Sequence, residues 1–141
     1  MQTLGELENL LKESWTKETS VDSNWSEDNP ALGQCAVTAL VVNDYFGGKI
    51  MRCMASTGSH YYNELEGITV DLTRSQFGNE EHEYENGEER TREYLLSNEN
   101  TKSRYELLSN NVKTNDEIAE ILRVIKEKKE NKRKSFFGRK K

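Results

Sequence analysis

Apolar residues recur at Leu4, Leu7, Leu10, Leu11 and Trp15, the three- and four-residue spacing of an amphipathic helix, and Thr3 and Glu6 stand ahead of them at capping-box distance. The pattern predicts a helix over about residues 4–15. Residues 16–29 are polar apart from Val21 and Trp25 and read as a loop. A second helix is predicted from near Cys35 to Tyr45 or Phe46, closed by Gly47-Gly48. Its run Ala36-Val37-Thr38-Ala39-Leu40-Val41-Val42 is apolar on nearly all sides, which marks it as the central buried helix. Beyond it the chain reads as three strands, at about 49–55, 59–65 and 68–73. Thr57-Gly58 separates the first two, and Glu66-Gly67 forms a tight hairpin between the others. A three-stranded antiparallel meander packed on the buried helix is the arrangement expected.

Residues 78–90 are acid-rich, contain Gly78 and Gly87, and read as an exposed loop. Segments Thr91 to Ser97 and Thr101 to Asn110 read as two short helices, the second with Tyr105, Leu107 and Leu108 as its buried side. Thr114-Asn115-Asp116-Glu117 repeats the capping-box spacing and is expected to open a last helix, with Ile118, Ile121, Leu122 and Ile125 at helical intervals. The expected fold is α+β: a small antiparallel sheet of at least three strands on a central helix that starts at the cysteine, with flanking N- and C-terminal helices. One domain is expected over residues 1–125 and a basic tail over 126–141, with the ordered part ending near residue 128.

Charge adds the tail to this picture. The net charge of −5 divides unevenly: residues 126–141 hold nine Lys or Arg and two Glu, a local charge of +7, which leaves −12 on the first 125 residues. An acidic body is a poor surface for nucleic acid. The segment Lys126–Lys141, with Phe136 and Phe137, is the candidate for an acidic partner, a membrane surface or nucleic acid, or a solvated end. No apolar run reaches the length of a membrane span and no signal-peptide pattern opens the chain, so a cytoplasmic protein is expected. Two cysteines form no disulfide framework, and Cys53 reads as a strand thiol packed like a small hydrophobe, on the face opposite Ile50.

The chemistry lies in Cys35. It follows Asn29-Pro30-Ala31-Leu32-Gly33-Gln34 and stands where a helix begins, at the positive end of the helix dipole, an environment that favours thiolate over thiol. His60 and Asp71 lie downstream, and counting back from the Glu66-Gly67 turn puts them on neighbouring strands within one or two rungs. Cys, His and Asp in that order supply a thiol nucleophile, its base and the group that orients the base. Singly, each has a structural explanation: a helix thiol, a hydrogen-bonded strand histidine, a turn-capping aspartate. Gln34 and Asn63 are candidate oxyanion or substrate donors, or else turn hydrogen-bonders. Trp25 is a loop anchor or a wall beside Cys35. Of Tyr61 and Tyr62, which alternate across the strand, one is expected to face the site, with Tyr62 taken as the substrate contact. A zinc set of Cys35, Cys53, His60 and His82 matches no compact zinc spacing, and His82 lies in the acidic run Glu80-Glu81-His82-Glu83, read as solvated. No metal or cofactor is expected.

Trp25-Ser26-Glu27-Asp28-Asn29-Pro30-Ala31-Leu32-Gly33-Gln34-Cys35, with Thr38–Val42, Asp44–Gly48, His60-Tyr61-Tyr62-Asn63, Asp71-Leu72-Thr73 and Gln76-Phe77, resembles the bacterial YunG-like family over roughly residues 10–112. The order of Cys, His and Asp is also similar to that of papain-like and transglutaminase-like cysteine enzymes. That likeness implies Cys35 as nucleophile, His60 as base and Asp71 as its orienter. The chain has no second lobe of the papain type, which argues against broad endopeptidase activity. The expectation is a small cysteine enzyme acting on an acyl or amide bond of a peptide, protein or small molecule, as peptidase, deamidase or acyltransferase. The alternative is a non-enzymatic adaptor of the same fold that binds through its basic tail.

Overall fold

The computed structural model describes residues 3–56, 58–80 and 82–138, with side chains to residue 135. Thr57, Glu81 and residues 139–141 of the basic tail, on which parts of the sequence reading rest, lie outside the described residues, as do the side chains of Phe136 and Phe137. Helix α1 spans Leu4–Ser14, and Thr3 caps it by accepting the Glu6 N–H at 3.1 Å. Helix α2 spans Cys35–Phe46, and Gly47 at φ +69° ends it as the double glycine predicts. Strands β1 (Lys49–Ala55), β2 (Gly58–Leu65) and β3 (Ile68–Val70) follow as an antiparallel meander. The β2–β3 turn is the two-residue loop Glu66-Gly67, both at positive φ, with Leu65 facing Ile68 in the register.

The sheet has a fourth strand. β4, Glu88–Arg90, pairs antiparallel with β1 and gives the order β3-β2-β1-β4. The acid-rich segment expected as loop therefore ends as an edge strand. Its three residues, Glu-Glu-Arg, carry no apolar alternation, and pairing with Ile50, Met51 and Arg52 makes the strand.

Six consecutive residues of α2, Val37 to Val42, are buried, so this helix is enclosed on all sides. One side packs Val37, Val41 and Val42 against Leu7, Leu10, Leu11, Leu108 and Val112, and the other packs Ala39 and Leu40 on Ile50 and Leu95. At about 1.5–3 kcal/mol for each fully buried aliphatic side chain, this double contact is the main source of fold stability. The polar groups inside are paired: Trp15 Nε1 donates to Thr38 Oγ1 at 2.9 Å, and the Asn63 amide donates to the Ala39 carbonyl at 3.0 Å.

Helix α3 (Arg92–Leu96) forms within the predicted span Thr91 to Ser97 and is capped by Thr91. Helix α4 departs from prediction: one helix of 40 residues, Glu99–Gly138, replaces two, and it runs unbroken through Thr114-Asn115-Asp116-Glu117. Within that segment Asn115 serves a tertiary contact instead. Asn115 donates to the Ser14 hydroxyl at 2.9 Å and, with Asn111, ties α4 to the end of α1. Leu108 and Val112 are buried beneath this junction, while Leu107 is exposed. No helix among the described residues is long and apolar enough to cross a membrane.

Candidate active site

Cys35 is the first residue of α2 and is half-buried. The loop before it is held tightly: Gly33 sits at φ +72°, and a Cβ there would meet Ser20 Oγ at 2.3 Å and the Asp22 amide nitrogen at 2.7 Å. Only glycine fits this approach, so the backbone that delivers Cys35 to the helix start is fixed from behind. Gln34, the N-cap, makes no side-chain cap bond to the first turn of α2.

His60 lies on β2, is 2% exposed, and pairs in the register with Cys53 of β1. Asp71 follows the last residue of β3. Its Oδ2 lies 2.7 Å from His60 Nε2 and accepts the Tyr84 hydroxyl at 2.8 Å, while its Oδ1 accepts the Thr73 N–H at 3.1 Å and the Thr73 hydroxyl at 3.0 Å. An ionised carboxylate that accepts all of these fixes the proton on Nε2 and leaves Nδ1 as the ring nitrogen on the other side. Gln76 Nε2 stands 3.5 Å from Nδ1, at the long limit of a hydrogen bond, and donates to the Thr73 hydroxyl at 3.1 Å.

The electrostatics follow from this packing. Burial pushes the His60 pKa down, but hydrogen bonding to Asp71 and to Cys35, with their negative charges, outweighs it and raises the value to about 9. Burial raises Asp71, and the bonds and charge of His60 outweigh that in turn, holding the carboxyl below its ordinary range. His60 is thus an imidazolium at neutral pH. A second cation, the buried guanidinium of Arg104, donates to the Thr19 carbonyl at 3.1 Å, and the charge of Cys35 acts on it.

The structure brings His60, Asp71 and Tyr62 together, with Cys35 near enough for its charge to act on the imidazole, while three other candidates make bonds elsewhere. Tyr62 is buried on the His60 face of the sheet, its ring stacked at 6.3 Å from the imidazole. Gln34 turns away: its Oε1 accepts the Thr19 hydroxyl at 2.8 Å and its Nε2 donates to the Thr16 carbonyl at 3.0 Å, so the amide serves the loop. Asn63 spends its amide on the Ala39 carbonyl, on the α2 side of the sheet. Trp25 donates its indole N–H to the Pro30 carbonyl at 2.9 Å and lines a groove with Lys12, Trp15, Glu18, Glu27 and Pro30 from which Cys35 is absent. Each carries a polar group that is hydrogen-bonded locally or across the core.

Sequence reasoning missed the cover over His60. Phe77 meets the imidazole edge-on at 4.9 Å, and His82 stacks on Phe77 at 4.7 Å. His82 is therefore half-buried: its Nε2 lies 3.4 Å from Cys53 Sγ, and burial followed by the charge of His60 lowers its pKa. Burial, then the charges of Asp71 and Cys35, raises the Cys53 thiol, and the residue is 3% exposed. The only signal was a run of aromatic residues, Phe77, His82 and Tyr84, inside an acidic stretch. Among the described residues no three His, Cys, Asp or Glu side chains are grouped to hold a metal ion.

A cleft of about 260 Å³ on the α2 side of the sheet is lined by Ala36, Tyr61, Tyr94, Leu95, Ser97, Asn98 and Thr101, and neither Cys35 nor His60 lines it. Burial raises the pKa of the Tyr61 hydroxyl, and the charges of Tyr94 and Cys35 add to the rise.

A family model described as YunG protein matches residues 3–117. The protein described as "Uncharacterized protein YunG" from Bacillus subtilis (strain 168) is 44% identical over 68 residues, which cover 48% of this chain and 57% of that relative. The chain thus spans little more than half the length of the curated relative it matches. No solved structure matches the chain.

Proposed function

We propose that this chain, which belongs to the YunG family, is a small thiol-dependent enzyme acting on an acyl or amide bond, with Cys35 as nucleophile. The observation that carries this reading is the buried His60, bonded to Asp71 at 2.7 Å and raised in pKa by Asp71 and Cys35. An imidazole kept charged in the interior costs desolvation, and the Asp71 carboxylate, saturated by Thr73 and Tyr84, supports that charge and the ring's orientation. The likeness to papain-like and transglutaminase-like enzymes rests on the order of Cys, His and Asp alone.

The chemistry balances with these groups. The sulfur of Cys35 attacks the substrate carbonyl, a C–S bond forms, and the C–N or C–O bond breaks as His60 gives its Nδ1 proton to the departing amine or alcohol. Water or an amine then attacks the thioester, His60 takes its proton back, and the C–S bond breaks to release acid or amide. The first-turn N–H groups of α2, free of a side-chain cap, are the natural donors to the oxyanion. Peptidase, deamidase and acyltransferase activities share these steps, on a peptide, protein or small acyl substrate. Two free thiols suit a reducing, cytoplasmic setting.

Alkylation tests the nucleophile without a known substrate. With iodoacetamide at pH 7, followed by peptide mapping, Cys35 is expected to react at least about tenfold faster than Cys53, and than Cys35 itself in the urea-unfolded chain. Asp71→Asn should bring the Cys35 rate down toward the unfolded value. Equal rates at folded and unfolded Cys35, unchanged by Asp71→Asn, would reject the enzyme and leave the adaptor reading.

A further inference from the structure

Arg104 of α4 carries a positive charge that no carboxylate among the described residues offsets. The side chain is 7% exposed, and a guanidinium keeps its proton in a folded protein. Its Nε donates to Asn100 Oδ1 at 2.8 Å, one terminal nitrogen to the Thr19 carbonyl at 3.1 Å and the other to the Thr101 hydroxyl at 3.4 Å. All three acceptors are neutral. Hydrogen bonds of this kind satisfy the donors, but a buried charge stays costly until an opposite charge lies near it.

The bonds of Arg104 lead to that charge. Thr19 is fully buried; its carbonyl accepts Arg104, and its hydroxyl donates to Gln34 Oε1 at 2.8 Å. Gln34, also fully buried, is the N-cap of α2, and Cys35 follows it. Three buried residues thus join α4 to the position that presents the thiol. The negative charge of Cys35 acts on Arg104 and opposes the fall in pKa that burial imposes on the guanidinium. The other ionised pair of the site, the His60 imidazolium and the Asp71 carboxylate, cancels itself, so Arg104 leaves one positive charge in excess until the sulfur is negative. Resting on the reading of Cys35 as nucleophile, we propose that Arg104 is a positioning residue of this site, whose buried charge holds the negative sulfur and whose bond through Thr19 fixes the N-cap that presents it.

Alkylation of the full chain with two reagents of like chemistry, anionic iodoacetate and neutral iodoacetamide, reads the charge around Cys35 when both rates are mapped to that residue at one pH and ionic strength. The ratio of the two rates removes changes in the accessibility or reactivity of the sulfur and keeps the effect of charge. Arg104→Gln is expected to lower the iodoacetate-to-iodoacetamide ratio at least about threefold, while Arg104→Lys, which keeps the charge, should hold it within about twofold of the native value. Arg104→Met removes the charge and keeps an unbranched apolar stem, and gives the same reading should the glutamine variant fail to fold. A residue that only braces the loop would change both rates together. A ratio unmoved in the glutamine and methionine variants, or lowered as much by lysine, would overturn the proposal. So would a native ratio no higher than that of the urea-unfolded chain, a comparison that needs no variant. The ratio is measurable whether Cys35 reacts fast or slowly, so its failure is distinct from failure of the nucleophile, which shows in the iodoacetamide rate alone.

Discussion

Replacing Asp71 with alanine is expected to lower the free energy of unfolding by about 3–5 kcal/mol at pH 7, the range seen when one member of a buried ion pair is removed. Both side chains are nearly inaccessible, His60 at 2% and Asp71 at 4% exposure, so water cannot replace the lost partner. The carboxylate also accepts from the Thr73 N–H, the Thr73 hydroxyl and the Tyr84 hydroxyl, and these three donors would be orphaned with the imidazole. Asp71→Asn keeps one acceptor oxygen and should cost less. Urea unfolding followed by circular dichroism measures both variants. A loss under about 1 kcal/mol for Asp71→Ala would mean that the pair contributes little to the core.

The same pair makes stability depend on pH in a stated direction. His60 holds its proton more tightly in the folded chain, at about 9 against 6.5 unfolded. Its contribution is therefore complete below about pH 6.5 and disappears as the pH rises through about 9, a loss of roughly 3 kcal/mol for a shift of this size. Asp71 works from the other side: its folded pKa lies below the ordinary 3.8, so its contribution is present above that value and is lost on further acidification. Stability should thus form a plateau from about pH 4 to 6.5 and fall toward pH 9–10. In Asp71→Ala the alkaline fall should be largely absent, so the two unfolding curves converge at high pH. An alkaline slope that survives in the variant would assign the fall to other groups.

The elements set by local rules were readable in the chain itself. Thr3 and Glu6 opened α1, Gly47-Gly48 closed α2, and Glu66-Gly67 produced the hairpin whose register brings Asp71 to His60. Counting rungs across a two-residue turn is a local operation, and the 2.7 Å contact matches it. The errors arise where distant parts meet. Asn115 carries a capping signature, but its partners lie about 100 residues away at the end of α1, and that contact keeps α4 continuous. Residues 78–90 have the composition of a solvated loop, yet His82 and Tyr84 lie over the sheet and the last three residues pair with β1. Gln34, Asn63 and Trp25 offered the right polar atoms for a site. Which partner each atom takes depends on the packed loop and helix, and no spacing in the sequence encodes that.

The claim that Cys35 is an acyl-accepting nucleophile served by His60 is tested most directly with p-nitrophenyl acetate under pre-steady-state conditions. Attack by the sulfur expels p-nitrophenolate and leaves an acetyl thioester. The expected result is a burst of about one p-nitrophenolate per chain, with a 42-dalton adduct mapped to Cys35 and then released by water. Cys35→Ser should abolish the adduct, and His60→Gln, shown to be folded, should slow the burst by about 100-fold or more. Acetylation of Cys35 no faster than that of glutathione, or a burst that His60→Gln leaves unchanged, would contradict it.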